Sequence, residues 1–227
     1  MKKVLISLLI IFFQQVQTYS QNDDTASQKD TRSFGIGISS QNNKINWEKL
    51  KNDKIIKFVL INCNQKGFFK KRSEEAKKNG FIIGAFYYFD PNQDSEKQAK
   101  EFISNVKLLD TGDIVPIVNI EKISEKYPVD SLNNLIREFE SMLLSLEKNY
   151  NKKPIISTSY GFYYRYLQNG YFNNYKFCIS EYYSRKKPEK SSTEDAPINQ
   201  NLEKRKIYGV CGSVTWNKAI LSEILMK

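Results

Sequence analysis

Asn79-Gly80-Phe81-Ile82-Ile83-Gly84-Ala85-Phe86-Tyr87-Tyr88-Phe89-Asp90-Pro91 is the stretch that decides the fold. Asn-Gly ends a helix, and the chain passes at once into an unbroken apolar and aromatic run closed by Asp-Pro. Continuous hydrophobicity, as opposed to strict alternation, suits a strand buried on both faces, as in a parallel sheet covered by helices. Working outward, similar runs occur at residues 34–39, 57–64, 113–121, 154–159 and 176–182, and with 81–89 they make six predicted strands. Helical patterns fall between them at 47–52, 71–79, 95–109, 131–149 and, briefly, 162–168. In 131–149, Leu132, Leu135, Ile136, Phe139, Leu143 and Leu146 recur at helical spacing and predict a core-facing stripe. Strand–helix alternation of this length predicts either an α/β barrel or a doubly wound sheet. Gly35-Ile36-Gly37 lacks the rest of a dinucleotide fingerprint, and no other Gly-rich phosphate loop follows a strand. The barrel is preferred: a single-domain, (β/α) TIM-like α/β fold over residues 34–227. The charged segment 184–206, with two prolines and no apolar periodicity, reads as an exposed loop within that domain.

The ends and the composition bound the function. Lys2 and Lys3 precede a short apolar run from Val4 to Phe13, and Ser20 supplies a small residue for cleavage. Residues 1–20 thus read as a signal peptide, too short in their apolar part for a membrane span of about 20 residues, and residues 21–33 as a flexible polar lead-in. Export to the periplasm or outside the cell follows, with no stable membrane span after cleavage. The 227 residues contain no histidine, which excludes Ser-His-Asp and Cys-His nucleophile systems and His-ligated metals. Acid–base chemistry is left to carboxylates, Lys, Tyr and Cys. Cys63, Cys178 and Cys211 have no metal-ligand spacing, and Cys63 and Cys178 sit in strand-like runs where buried free thiols are expected. No metal or cofactor is expected. The net charge of +10 is spread along the chain beside acids, as in Lys70-Lys71-Arg72-Ser73-Glu74-Glu75. That is the pattern of a solvated surface, so no nucleic-acid partner is expected; a polyanionic bacterial envelope suits the charge better.

In barrels of this class the reacting groups sit at the C-terminal ends of the strands. Pro116-Ile117-Val118-Asn119-Ile120-Glu121 turns polar at its end, and side chains at i and i+2 share a strand face. Asn119 and Glu121 should therefore point together into the mouth. The other strand ends offer Asn62 and Asn64, Tyr87 and Tyr88, Ser157 and Ser159, and Glu181, Tyr182 and Tyr183. Thr215, Trp216 and Asn217 lie near the C terminus. Aromatic rings, side-chain amides and one or two acids make a surface suited to carbohydrate, whose C–H faces stack on rings and whose hydroxyls meet amides.

The ordered set of motifs resembles glycoside hydrolase family 25, the lysozymes (muramidases) that cut peptidoglycan. Gly35-Ile36-Gly37-Ile38-Ser39 with Ile45-Asn46-Trp47 is similar to the family's opening G-I-D-[VI]-S…I-D-W. Gly84-Ala85-Phe86-Tyr87-Tyr88 stands where the family has G-A-Y-H-F, and Pro116–Glu121 resembles P-x-x-D-[IV]-E. Gly212-Ser213-Val214-Thr215-Trp216-Asn217 resembles the closing G-x-V-D-x-N. The resemblance covers roughly residues 34–217 and implies a partly irregular barrel with a groove at the strand ends. It also implies Glu121 as general acid and Asn119, in place of Asp, as the group that positions the substrate acetamide. Gly37, Tyr87, Tyr88, Thr215 and Asn217 at the motif positions, with Asn62, Ser157, Glu181 and Tyr182 from the other strand ends, are the expected substrate-binding residues.

The departures are all losses of acid or of histidine. Gly37, Asn119, Thr215 and Asn46 stand where the family has Asp, Tyr87 where it has His, and Gln65 near its usual Glu. Glycoside hydrolysis needs a proton donor and a second negative group, and a neutral amide orients but does not supply charge. The expectation is an exported lysozyme-like protein that acts on or binds peptidoglycan or a related glycan, with hydrolysis weak or lost. The alternatives are a non-catalytic glycan or envelope-partner binder and a barrel repurposed altogether.

Overall fold

The computed structural model describes residues 32–107, 109–121, 129–168, 170–181 and 198–227. The predicted signal peptide and almost all of the lead-in, together with Tyr182, Tyr183 and residues 184–197, lie outside them. Eight strands close into a barrel in sequence order: β1 (Ser33–Ile38), β2 (Ile56–Asn62), β3 (Ile82–Tyr88), β4 (Ile114–Asn119), β5 (Ile155–Ser159), β6 (Phe177–Glu181), β7 (Ile198–Arg205) and β8 (Val214–Ala219). β1 to β7 run parallel, whereas β8 is antiparallel to both β7 and β1. The helices are α1 (Trp47–Asn52), α2 (Phe68–Lys78), α3 (Ser95–Val106), α4 (Val129–Tyr150) and the short α5 (Tyr160–Phe162), which continues as a π-helical turn at Tyr163–Leu167. The six predicted strands and the irregular α/β barrel are thus observed.

One expectation is corrected. Residues 198–205, read as part of an exposed loop, form β7, hydrogen-bonded to β6 on one side and β8 on the other. Its paired stretch Ile198-Asn199-Gln200-Asn201 has no apolar run to announce it; the ladders on both edges make it a strand.

Alternation along the strands divides the interior in two. Phe58, Leu60, Ile117, Ile155, Cys178 and Ile198 point into the barrel, while Val59, Ile61, Ile83, Ala85, Val118 and Ile156 face the helices. The α4 stripe packs there as predicted, with Leu135, Phe139, Leu143 and Leu146 buried. Pro116 lacks an N–H and sits where the β3–β4 register slips, between the pairs Gly84↔Ile114 and Phe86↔Ile117, so a central strand tolerates it. The C-terminal segment covers the N-terminal end of the barrel: Val115 N–H donates to the Ile224 carbonyl and Met226 N–H to that of Asp113, at 2.9 and 2.7 Å. The opposite end is left for the site.

A buried arginine fixes the loop that follows β1. Arg72 of α2 donates to the Asn43 carbonyl at 2.6 Å, to that of Asn42 at 3.3 Å and to Glu75 at 2.8 Å, while Trp47 Nε1 donates to the same carboxylate oxygen at 2.9 Å. Asn42 in turn donates to the Cys211 and Ser213 carbonyls, both at 3.0 Å, and so ties this loop to the entry of β8. Burial works to raise the Glu75 carboxyl, but the Arg72 and Trp47 hydrogen bonds outweigh it and hold it below the usual value. We expect Arg72→Met to cost about 2 kcal/mol of unfolding free energy in urea titrations at neutral pH. A lowered carboxyl stabilises the fold above its unfolded value and loses that contribution as pH falls. The deficit should therefore shrink on acidification; a deficit constant with pH would contradict the role given to Glu75.

Candidate active site

At the C-terminal end of the parallel strands lies a pocket lined by Gly37, Leu60, Phe86, Tyr88, Ile117, Asn119, Ser157, Cys178, Thr215 and Asn217. At its centre Asn119 of β4, 6 % exposed, uses one amide nitrogen twice. Nδ2 donates to Glu121 Oε1 at 3.0 Å and to Ser157 Oγ at 3.1 Å. Ser180 of β6 adds its hydroxyl to the same Glu121 oxygen at 3.3 Å. Glu121 Oε1 therefore accepts from two donors, one on β4 and one on β6. Ile120 N–H donates to the Ser157 carbonyl at 2.8 Å and Thr158 Oγ1 to that of Ile120 at 2.7 Å, so the chain between the two site residues is pinned to β5.

β8 supplies the opposite wall. Thr215 pairs with Gly37 across the antiparallel β1–β8 ladder, and its hydroxyl fills the space where a side chain at position 37 would begin. Asn217 is fully buried; its Nδ2 makes long contacts of 3.4 and 3.5 Å with Thr215, and among the described residues its Oδ1 has no partner. A buried acceptor aimed into a pocket needs a donor, which a hydroxyl or amide of a bound molecule would supply.

The structure thus brings together Gly37, Tyr88, Asn119, Glu121, Ser157, Thr215 and Asn217. Asn62 lies on the inward face of β2, 7 % exposed, and donates to Asn64 Oδ1 at 2.8 Å. Tyr87 is a correction. Strand alternation sends it away from the pocket, where it is 3 % exposed against Phe102 and donates its hydroxyl to Glu101 at 3.2 Å. Burial, then the Glu101 charge, raise its hydroxyl well above the ordinary tyrosine value. Glu181 ends β6, and Tyr182 lies outside the described residues. Ser180, Cys178 and Phe86 are not among the expected site residues, yet Cys178 and Phe86 line the pocket and Ser180 bonds Glu121. Cys178 and Cys63 are buried free thiols, as expected, and burial pushes the Cys178 thiol up to about 12. Neither suits nucleophilic chemistry, which needs a thiolate.

The family model for glycosyl hydrolases family 25 matches residues 36–210, from β1 to the approach to β8. The chain belongs to glycosyl hydrolase family 25. It is 27 % identical over 192 residues to the uncharacterized protein YegX of Escherichia coli K12, spanning 81 % of this chain and 68 % of that protein. Among solved structures it is similar to a family 25 glycosyl hydrolase from Bacillus anthracis, with a TM-score of 0.69 at 23 % identity over 82 % of this chain and 88 % of that one. A bacterial lysozyme from Streptomyces coelicolor gives a TM-score of 0.69 at 20 % identity, over 82 % and 91 % of the two chains. The protein therefore has a lysozyme-like family 25 fold.

The mouth of the barrel carries little charge among the described residues. Of the residues that line the pocket or bond directly to its lining, Glu121 is the single carboxylate among the described ones. Asn46, another position where an Asp was expected, has a structural duty: its side chain caps α1 by accepting from Lys49 N–H at 3.0 Å. Asn and Asp cap helices about equally well, so the change at 46 costs the fold little.

Proposed function

We propose that the protein is exported and binds the glycan strands of bacterial peptidoglycan, with muramidase activity weak or lost. The observation that carries this reading is the Asn119–Glu121 pair: a neutral amide of the pocket wall donates to the one carboxylate, among the described residues, that bonds to that wall. Asn119 can orient a substrate acetamide, yet it brings no negative charge to an oxocarbenium-like transition state, and missing electrostatic groups of this kind typically cost two to three orders of magnitude in rate. Binding makes smaller demands. Tyr88 offers a ring, Asn119, Ser157, Thr215 and Asn217 offer amides and hydroxyls, and a chain that stays strongly basic without Lys2 and Lys3 is drawn toward a polyanionic wall. Among the described residues no helix is long and apolar enough to cross a membrane.

The test is a sedimentation and digestion assay with purified peptidoglycan, wild type beside Glu121→Gln. Retention on the pellet in moderate salt, with reducing ends at or near the blank for both proteins, is the expected result. Rapid hydrolysis abolished in Glu121→Gln would overturn the loss of catalysis. Retention that vanishes with modest salt would reduce the interaction to charge alone and leave the pocket without a glycan.

A further inference from the structure

Asn64 follows β2 and completes its ladder with a side chain. The last backbone bond from β2 to β3 runs from Cys63 N–H to the Phe86 carbonyl at 2.9 Å. The next acceptor along the strand, the Cys63 carbonyl, is taken by Asn105 Nδ2 of α3 at 2.8 Å. Tyr88 N–H donates instead to Asn64 Oδ1 at 2.8 Å, and Asn64 Nδ2 donates to the Tyr88 carbonyl at 2.9 Å. One amide side chain thus does for Tyr88 what a peptide unit of a neighbouring strand would do. Asn62 Nδ2 donates to the same Oδ1 at 2.8 Å and fixes which way the Asn64 amide faces. On its other edge Tyr88 pairs in register with Asn119, and Phe89 N–H donates to the Asn119 carbonyl at 3.0 Å.

The backbone of Tyr88 is therefore clamped between the Asn64 amide and the strand that carries Asn119. Its ring lines the pocket, is 48 % exposed, and stands edge-on to Phe86 with centroids 5.4 Å apart. We propose that Asn64 is a positioning residue that sets Tyr88 as the stacking platform for a sugar ring at the mouth of the pocket. The proposal rests on the glycan reading above. A ring held in place before the ligand arrives spares the entropy of ordering it on binding. Without the Asn64 amide, Tyr88 N–H and C=O lie near enough to solvent to find water, so the barrel persists while the platform loosens.

The experiment is a double-mutant cycle on binding of soluble peptidoglycan glycan fragments, measured by isothermal titration calorimetry, with thermal midpoints recorded for every protein. Asn64→Ala should weaken binding about fivefold and Tyr88→Ala about tenfold. The double variant should be no weaker than Tyr88→Ala alone, because Asn64 acts through that ring. Wild-type affinity in Asn64→Ala, or losses that multiply in the double variant, would overturn the positioning role while leaving glycan binding intact. Absence of binding by the wild type would remove the glycan reading and the platform together.

Discussion

Asn119→Asp should raise the release of reducing ends from peptidoglycan to about a hundredfold above the wild-type level. The substitution changes charge with almost no change in shape, at a site where the wild-type geometry is already tight. Asn119 Nδ2 lies 3.0 Å from Glu121 Oε1 and 3.1 Å from Ser157 Oγ. A carboxylate in its place would face the Glu121 oxygen across that distance, where two negative charges cannot both stand and one proton is shared between them. The pair then keeps a proton for the leaving oxygen and a negative charge to steer the substrate acetamide. Carboxyl groups this near to one another do not match the separation of about 5 Å or more used by a nucleophile or base on the opposite sugar face, so the restored Asp would orient and stabilise. Ser157, which now accepts from Asn119, can rotate its hydroxyl and donate. The activity gained should decline as pH rises and the shared proton is lost. Asn119→Asp combined with Glu121→Gln should return to the blank. No gain from the single substitution would move the deficit to the β1–β8 side of the mouth.

How much of this was legible in the sequence depends on where each element's information lies. The first six strands announce themselves by continuous apolar runs, because burial on both faces is written into the residues themselves. β7 is not written there: Ile198-Asn199-Gln200-Asn201 becomes a strand through partners that the chain reaches only after closing the barrel. The antiparallel β8 has the same origin. In the site, alternation placed Asn119 with Glu121, since both follow one strand with a single polar end. It could not assign Phe86-Tyr87-Tyr88-Phe89, where four consecutive aromatics look the same in either register and only the closed barrel shows that Tyr87 faces α3. Ser180 escaped notice because a hydroxyl after Cys178-Ile179 has no signature until Glu121 is seen beside it. Asn64 was legible as a polar strand end, but its pairing with the Tyr88 backbone was not, because that depends on the β2–β3 register.

Gly37→Asp should be the most damaging of the single acid restorations, and its cost should depend on residue 215. The two positions are Cα partners across β1 and β8. A Cβ at 37 would overlap Thr215 Oγ1, and it would come within 3.6 Å of both Thr215 Cβ and Asn217 Nδ2. One side chain, that of Thr215, therefore occupies the room of two. Overpacking costs about 1–3 kcal/mol, and a carboxylate beside Leu60 and Ile117 with only the weakly engaged Asn217 amide to meet it adds a desolvation penalty of similar size. We expect Gly37→Asp to lower the unfolding free energy by about 4 kcal/mol and Gly37→Ala, which carries the steric part alone, by about 2 kcal/mol. Thr215→Gly in the same chain should recover about 2 kcal/mol of either loss in urea titrations, as a coupling between neighbours. Strictly additive losses would show that Thr215 does not hold the space. With coupling of this sign, the neutral residues at 37 and 215 are one packing solution: an acid does not return at 37 by a single change without strain, whereas Asn119→Asp adds no atom that must find new room.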